Sequence, residues 1–138
     1  MQGQYLTVEH VFFFAIGIAI VIAVFMTFSA ISENIKRNAM EGQLESVGEL
    51  IRSSIVNVFE TGNSTNSLIK LDLEIPAQLS GNSYQLTTNG GLNLNYTDIK
   101  IGKVLNLYGI NTSIKNMIIY STQGKIKISC DGKEVVLE

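Results

Sequence analysis

The sequence predicts an α+β protein: a long N-terminal transmembrane helix with an amphipathic extension, followed by a small antiparallel β-sandwich or barrel domain of about seven strands. Three observations predict it. Val11 to Ile31 reads VFFFAIGIAIVIAVFMTFSAI, without a charged residue. Ser32 to Glu60 repeats apolar residues at helical spacing, and the chain's one proline comes only at Pro76. From Thr61 onward the apolar period falls to two, broken by Gly, Asn and Ser clusters. The domain reading is a short N-terminal segment at 1–10, a transmembrane helix at 11–31, an amphipathic helical extension at 32–60 and a β domain at 61–138.

At about 1.5 Å per residue, the run from Val11 to Ile31 makes roughly 31 Å of helix, close to the ~30 Å hydrocarbon thickness of a bilayer. Only Thr27 and Ser29 in it carry polar side chains. Phe, Ile and Val fall on every face, so no side turns toward water. In lipid, helix is one of two backbone forms that satisfy every N–H and C=O. A signal-peptide core is usually about 7–15 residues behind a basic region. This run is longer, and no Lys or Arg precedes it. Residues 1–10, MQGQYLTVEH, are too few to fold and read as a stub or part of a leader. Within them Glu9 places a carboxylate at the mouth of the span. One reading is a first-turn acid favoured by the helix dipole and solvated at the interface. The other pairs Glu9 with the N-terminal amine of a neighbouring subunit.

In the extension, Ile35, Met40, Leu44, Val47, Ile51, Ile55 and Val58 form an approximate helical stripe. Glu33, Lys36, Arg37, Glu41, Glu45, Glu49 and Arg52 lie between them. Gly42 and Gly48 weaken the helix and permit a bend. The stripe needs a cover, either the chain's own β domain or a neighbouring subunit.

Thr61 to Ser67, TGNSTNS, is a loop by composition. Leu71, Leu73 and Ile75 then alternate with Lys70, Asp72 and Glu74, a half-buried strand ended by Pro76. Tyr84 and Leu86 start a second strand, and Asn89-Gly90-Gly91 signals a hairpin into Leu92, Leu94 and Tyr96. Ile99, Ile101 and Val104 to Tyr108 follow. The continuous apolar run Met117 to Tyr120 marks Ile114 to Tyr120 as a central strand. Ile126, Ile128 and Cys130 alternate with Lys125, Lys127 and Ser129, Asp131-Gly132 signals a type I′ turn, and Glu134 to Leu137 closes the sheet.

Composition excludes several functions. The net charge of −2, with 10 basic and 12 acidic residues, offers no basic patch for nucleic acid. The one histidine, His10, has only Glu9 beside it, which is no metal cluster. Cys130 is the only cysteine and falls on an inward strand position, where a packed thiol is expected rather than a nucleophile. No glycine-rich phosphate loop occurs. Asp72 and Glu74 share a strand face that solvation explains. The reading is therefore not an enzyme, with no catalytic residue, no metal site and no cofactor.

Asn63-Ser-Thr65, Asn95-Tyr-Thr97 and Asn111-Thr-Ser113 match the N-glycosylation acceptor pattern. As a set they favour an extracellular or pseudoperiplasmic β domain. Lys36 and Arg37, just after the span, argue the reverse, because cytoplasmic flanks carry the basic excess. The architecture of an N-terminal span carrying an Asn-rich, charge-poor β domain tips the expectation outward.

Gly3-Gln4, then Glu9, then an immediate Phe/Ile/Val/Ala-rich helix and a β domain resemble archaeal type IV pilin-like proteins: pilins, archaellins and membrane-anchored stator-type accessory proteins of the archaellum. The resemblance covers about the first 60 residues by pattern. It implies cleavage after Gly3 by a prepilin-type peptidase. In the family the acidic residue is typically fifth in the mature chain, whereas cleavage after Gly3 makes Glu9 the sixth, and Met1-Gln2 lacks the family's basic leader. An uncleaved accessory protein fits these departures, as does a start placed too late. Under this resemblance the chain is a structural subunit or accessory component of a surface filament, in the cell membrane or in the filament itself. Its helix associates with sister or related helices through Glu9 and the small residues Ala15, Gly17, Ala19 and Ala23. The lipid bilayer and filament or envelope-lattice proteins are its partners. The alternative is a membrane-tethered β-domain binding module contacting the envelope lattice or another surface protein by strand addition.

Overall fold

The computed structural model describes residues 2–138. The chain divides into two compact units between Asn38 and Ala39. A single helix, α1 (Gln2–Thr65), supplies the first unit and opens the second. In the first unit every described side chain, from Gly3 to Asn38, is exposed. The uncharged run at 11–31 is therefore helical with its side chains exposed, and it is long and apolar enough to be a candidate membrane span.

In the second unit, seven short strands follow α1: β1 (Ile69–Glu74), β2 (Tyr84–Thr87), β3 (Leu92–Tyr96), β4 (Gly102–Leu105), β5 (Ile118–Tyr120), β6 (Lys125–Cys130) and β7 (Val135–Leu137). They form two antiparallel sheets and no closed barrel. The first has the order β1-β6-β7 and the second β4-β3-β2-β5. The middle of the chain thus builds one sheet, while its flanks meet to build the other.

Helix and both sheets share one core. Met40, Leu44, Val47, Ile51, Ile55 and Val58 are buried, at spacings of three and four that keep them on one helix face. They join Leu86, Leu92 and Leu94 of one sheet and Ile126, Ile128 and Leu137 of the other. The stripe is covered by the chain's own strands. Ile35, read as its first member, is 64% exposed because the covering unit begins only at Ala39. Gly48, read as a point for bending, is a point of closest approach: a Cβ there would run into Leu105 Cδ1 and lie 3.1 Å from Leu94 Cδ1. Gly62 does the same on the other sheet, where an added Cβ would sit 3.0 Å from Cys130 Sγ. That contact helps explain why Thr61 to Thr65, read as loop, is helical. The Ser64 and Thr65 hydroxyls also donate to the Thr61 carbonyl at 3.0 and 2.7 Å, giving these residues a helical role. The helix stops where Asn66 turns left-handed at φ 49°.

Other strand expectations shift. Ile114 to Tyr120 is not a central strand: only Ile118–Tyr120 is extended as β5, and β5 is an edge. Ile114 instead makes an isolated parallel bridge to Val135. The continuity of the apolar run misled, because Ile118 and Tyr120 face outward while Ile119 is buried. Ile99 and Ile101 belong to the β3–β4 connection, with Ile101 buried there. Leu71, expected inward, is exposed on the edge strand β1. The β6–β7 connection is not a type I′ turn, because only Gly132 takes positive φ within it. Asp131 Oδ1 instead accepts from the Lys133 and Glu134 amides at 3.0 and 2.9 Å, which holds its carboxyl below its ordinary pKa.

Four buried side-chain hydroxyls are held by hydrogen bonds. Ser121 Oγ accepts from the Tyr84 amide at 3.0 Å and donates to the Ala77 carbonyl at 2.7 Å. Thr88 Oγ1 donates to the Lys115 carbonyl at 2.8 Å and accepts from the Met117 amide at 2.9 Å. Tyr84 Oη donates to the Pro76 carbonyl at 2.8 Å, and Tyr96 Oη to the Met40 carbonyl of α1 at 3.2 Å. Burial, and then the neighbouring Tyr96, pushes the Tyr84 phenol up to about 12; burial also raises Tyr96.

Two predictions follow from this packing. Leu44→Ala should lower the unfolding free energy of the second unit by about 2–5 kcal/mol, and Ile35→Ala by less than about 0.5 kcal/mol, in denaturant titrations followed by tyrosine circular dichroism. The phenols titrate at higher pH folded than unfolded, so their stabilisation is whole below the ordinary tyrosine value of 10.0 and is lost as pH rises through about 12. Stability should therefore fall across that window. Tyr84→Phe should flatten the fall while costing about 1 kcal/mol at neutral pH through the lost Pro76 bond.

Candidate functional site

In the first unit, the flagged residues all lie exposed on α1. Ala15, Ala19 and Ala23 recur every fourth residue and share one face, whereas Gly17 lies two residues from Ala15 and Ala19, on the far side. The four small residues therefore do not form one stripe. Gly3 is helical, and its carbonyl accepts from Thr7 Oγ1 at 2.8 Å. Of the proposed leader, Met1 lies outside the described residues. Glu9 is not a first-turn acid. The helix begins at Gln2, so Glu9 sits about two turns in, beyond the reach of the N-terminal dipole. His10, the next residue, points to a different sector of the helix. Thr27 Oγ1 donates to the Ala23 carbonyl at 2.8 Å, which satisfies the hydroxyl inside the uncharged run.

In the second unit, Asn63 is exposed on the last turn of α1, and Asn95 is half-buried on β3. Asn95 Oδ1 lies close against Gly102 on β4, in the space a Gly102 side chain would take. Asn111 sits in a 3₁₀ turn at Ile110–Ser113 with its Oδ1 buried and without a hydrogen-bond partner. The three acceptor tripeptides thus stand in three different environments. Cys130 is buried against Gly62, and its Sγ accepts from the Gly132 amide at 3.4 Å. Asp72 and Glu74 pair in register with Lys127 and Lys125 on the outer face of the first sheet. Among the described residues, no group of three His, Cys, Asp or Glu is placed to hold a metal.

The structure brings together residues of which the sequence reading singled out only Asn95. On the outer face of the four-stranded sheet, Val104, Asn93, Thr87 and Ile118 stand in one cross-strand row. Gly102, Asn95, Gln85 and Tyr120 stand in the next. A cleft of about 680 Å³ adjoins it, lined by Asn95, Gly102 and Val104 and the β3–β4 connection. The alternation of Asn93 and Asn95 with buried leucines was the available signal; the rows needed the strand order. Elsewhere, Tyr108 is exposed at a strained positive φ of 47°, with the Arg52 guanidinium 5.1 Å from its ring centre and Glu49 2.6 Å from that guanidinium.

Comparisons with protein-family models, with curated proteins and with solved structures found no match.

The orphaned Asn111 carbonyl oxygen carries a desolvation cost without a compensating bond. Asn111→Ala should therefore leave the thermal transition unchanged or raise it, in contrast to the loss usual for removing a partnered buried amide. Differential scanning calorimetry of the two chains checks this.

Proposed function

We propose that the chain is a membrane-anchored, pilin-like structural subunit or accessory component of an archaeal type IV pilus or archaellum system, with its β unit outside the cell. The observation that carries this reading is the uncharged run of α1 from Val11 to Ile31, which is helical with every side chain exposed. Burying each Phe, Ile or Val side chain contributes about 1.5–3 kcal/mol, so the run as a whole strongly favours lipid or sister helices over water. The amphipathic part of the same helix is already occupied by its own core. That leaves residues 3–38 as the part of α1 available for association. Ala15, Ala19 and Ala23 offer a face where a second helix can approach closely. Glu9, two turns inside the helix, needs either the headgroup zone or a cation from a neighbour.

The test is fractionation followed by substitution. The intact chain should pellet with membranes and be released only by detergent, and recovery in the detergent-free supernatant would overturn the anchor. Glu9→Ala should leave the chain in the membrane while lowering its incorporation into isolated surface filaments several-fold; undiminished incorporation would remove Glu9 from assembly.

A further inference from the structure

The two sheets differ in what they show to solvent. The outer face of β1-β6-β7 carries Lys70, Asp72, Glu74, Lys125 and Lys127, paired across strands in the manner of a solvated surface. The outer face of β4-β3-β2-β5 carries no charge in either of its two full rows. Its centre is Asn93, Thr87, Asn95 and Gln85, each half-buried. Its margins are apolar or aromatic: Val104 is 70% exposed, Ile118 60% and Tyr120 49%.

From this we propose that the face binds a neutral, polyhydroxylated glycan chain. Asn and Gln each present a donor and an acceptor on one planar group, and Thr a hydroxyl that does both; Asn93 gives one amide hydrogen to the Asn89 carbonyl at 3.1 Å and keeps the other, while Asn95 turns its Oδ1 toward Gly102 and keeps its donors. A sugar's vicinal hydroxyls need that pairing. Strands lie about 4.8 Å apart, roughly the width of one sugar ring, so neighbouring amides in a row can address successive hydroxyls. Tyr120 stands at the end of the Asn95–Gln85 row, where its ring offers an apolar surface to a sugar's C–H face and its hydroxyl a polar tip. At the other end Gly102 carries no side chain, Asn95 Oδ1 takes the space one would fill, and the row adjoins the cleft lined by the β3–β4 connection. The ligand is neutral because no side chain in the two rows is charged, and the two charges that line the adjoining cleft, Asp98 and Lys100, are of opposite sign. A second copy of the chain is the poorer fit, since docking this face on itself would desolvate its amides without assured partners. The inference uses the second unit alone and holds whether or not the chain assembles into filaments.

The test uses the full chain in a detergent without a sugar head group, applied to an array of neutral and acidic glycans. Retention of neutral glycans is expected, unchanged between about 0.05 and 0.5 M salt. Tyr120→Ala and Gln85→Ala should each weaken binding about tenfold. Val104→Glu, at a well-exposed position where folding is least at risk, should weaken it as well by placing a charge on the face. No neutral glycan retained would overturn the proposal, as would retention of acidic glycans only. Binding that all three substitutions leave unchanged would also overturn it. So would a dimer in sedimentation velocity that Val104→Glu dissolves, which would make the face a contact between copies.

Discussion

The second unit depends on the seating of one helix face between two small sheets. Sheets of three and four short strands cannot each bury a face without a partner layer. The stripe from Met40 to Val58 is that layer for both, and side chains of all three elements meet in a single cluster. Gly48 and Gly62 set how closely the helix lies, one against Leu94 and Leu105 and the other against Cys130. Polar contacts at the margin, Lys103 to Glu45 at 3.1 Å and Ser80 to Gln43 at 2.7 Å, are exposed and small in energy beside the apolar seat.

The same helix changes its relation to its surroundings near residue 39. Before that point, apolar residues circle the axis and no described side chain is buried; after it, they keep to one face and are covered. One continuous secondary structure therefore carries two patterns suited to two solvents. The membrane reading rests on the first pattern and the fold of the β unit on the second.

Much of this was legible from residues alone. The uncharged run, the stripe from Met40 on and the alternation in β2, β3 and β6 specify helix and half-buried strands by period, and the structure has them. What was misread depended on tertiary neighbours. Ile35 continues the stripe's spacing but belongs to the first unit and is exposed. Thr61 to Thr65 has loop composition but is held by Cys130 packing and by its own hydroxyls. The run at Met117 to Tyr120 looked central because an edge strand with an apolar outer face reads like a buried one. Of the flagged site residues, Ala15, Ala19 and Ala23 share a helix face, while Gly17 lies opposite and Glu9 falls beyond the first turn. The uncharged sheet face was invisible, because its rows join β2 to β5 across an intervening stretch of some thirty residues whose course no local pattern announces.

The pairing of β1 with β6 orders events during synthesis. Lys70 meets Ser129 and Glu74 meets Lys125, so the sheet begun just after the helix waits for strands near the other end of the described chain. At about 5–20 residues per second, that partner leaves the ribosome several seconds after Val11 to Ile31 has emerged. The oily segment therefore emerges while the β unit is still incomplete, and translation imposes a sequence in which its burial, in whatever medium takes it, can precede closure of the core.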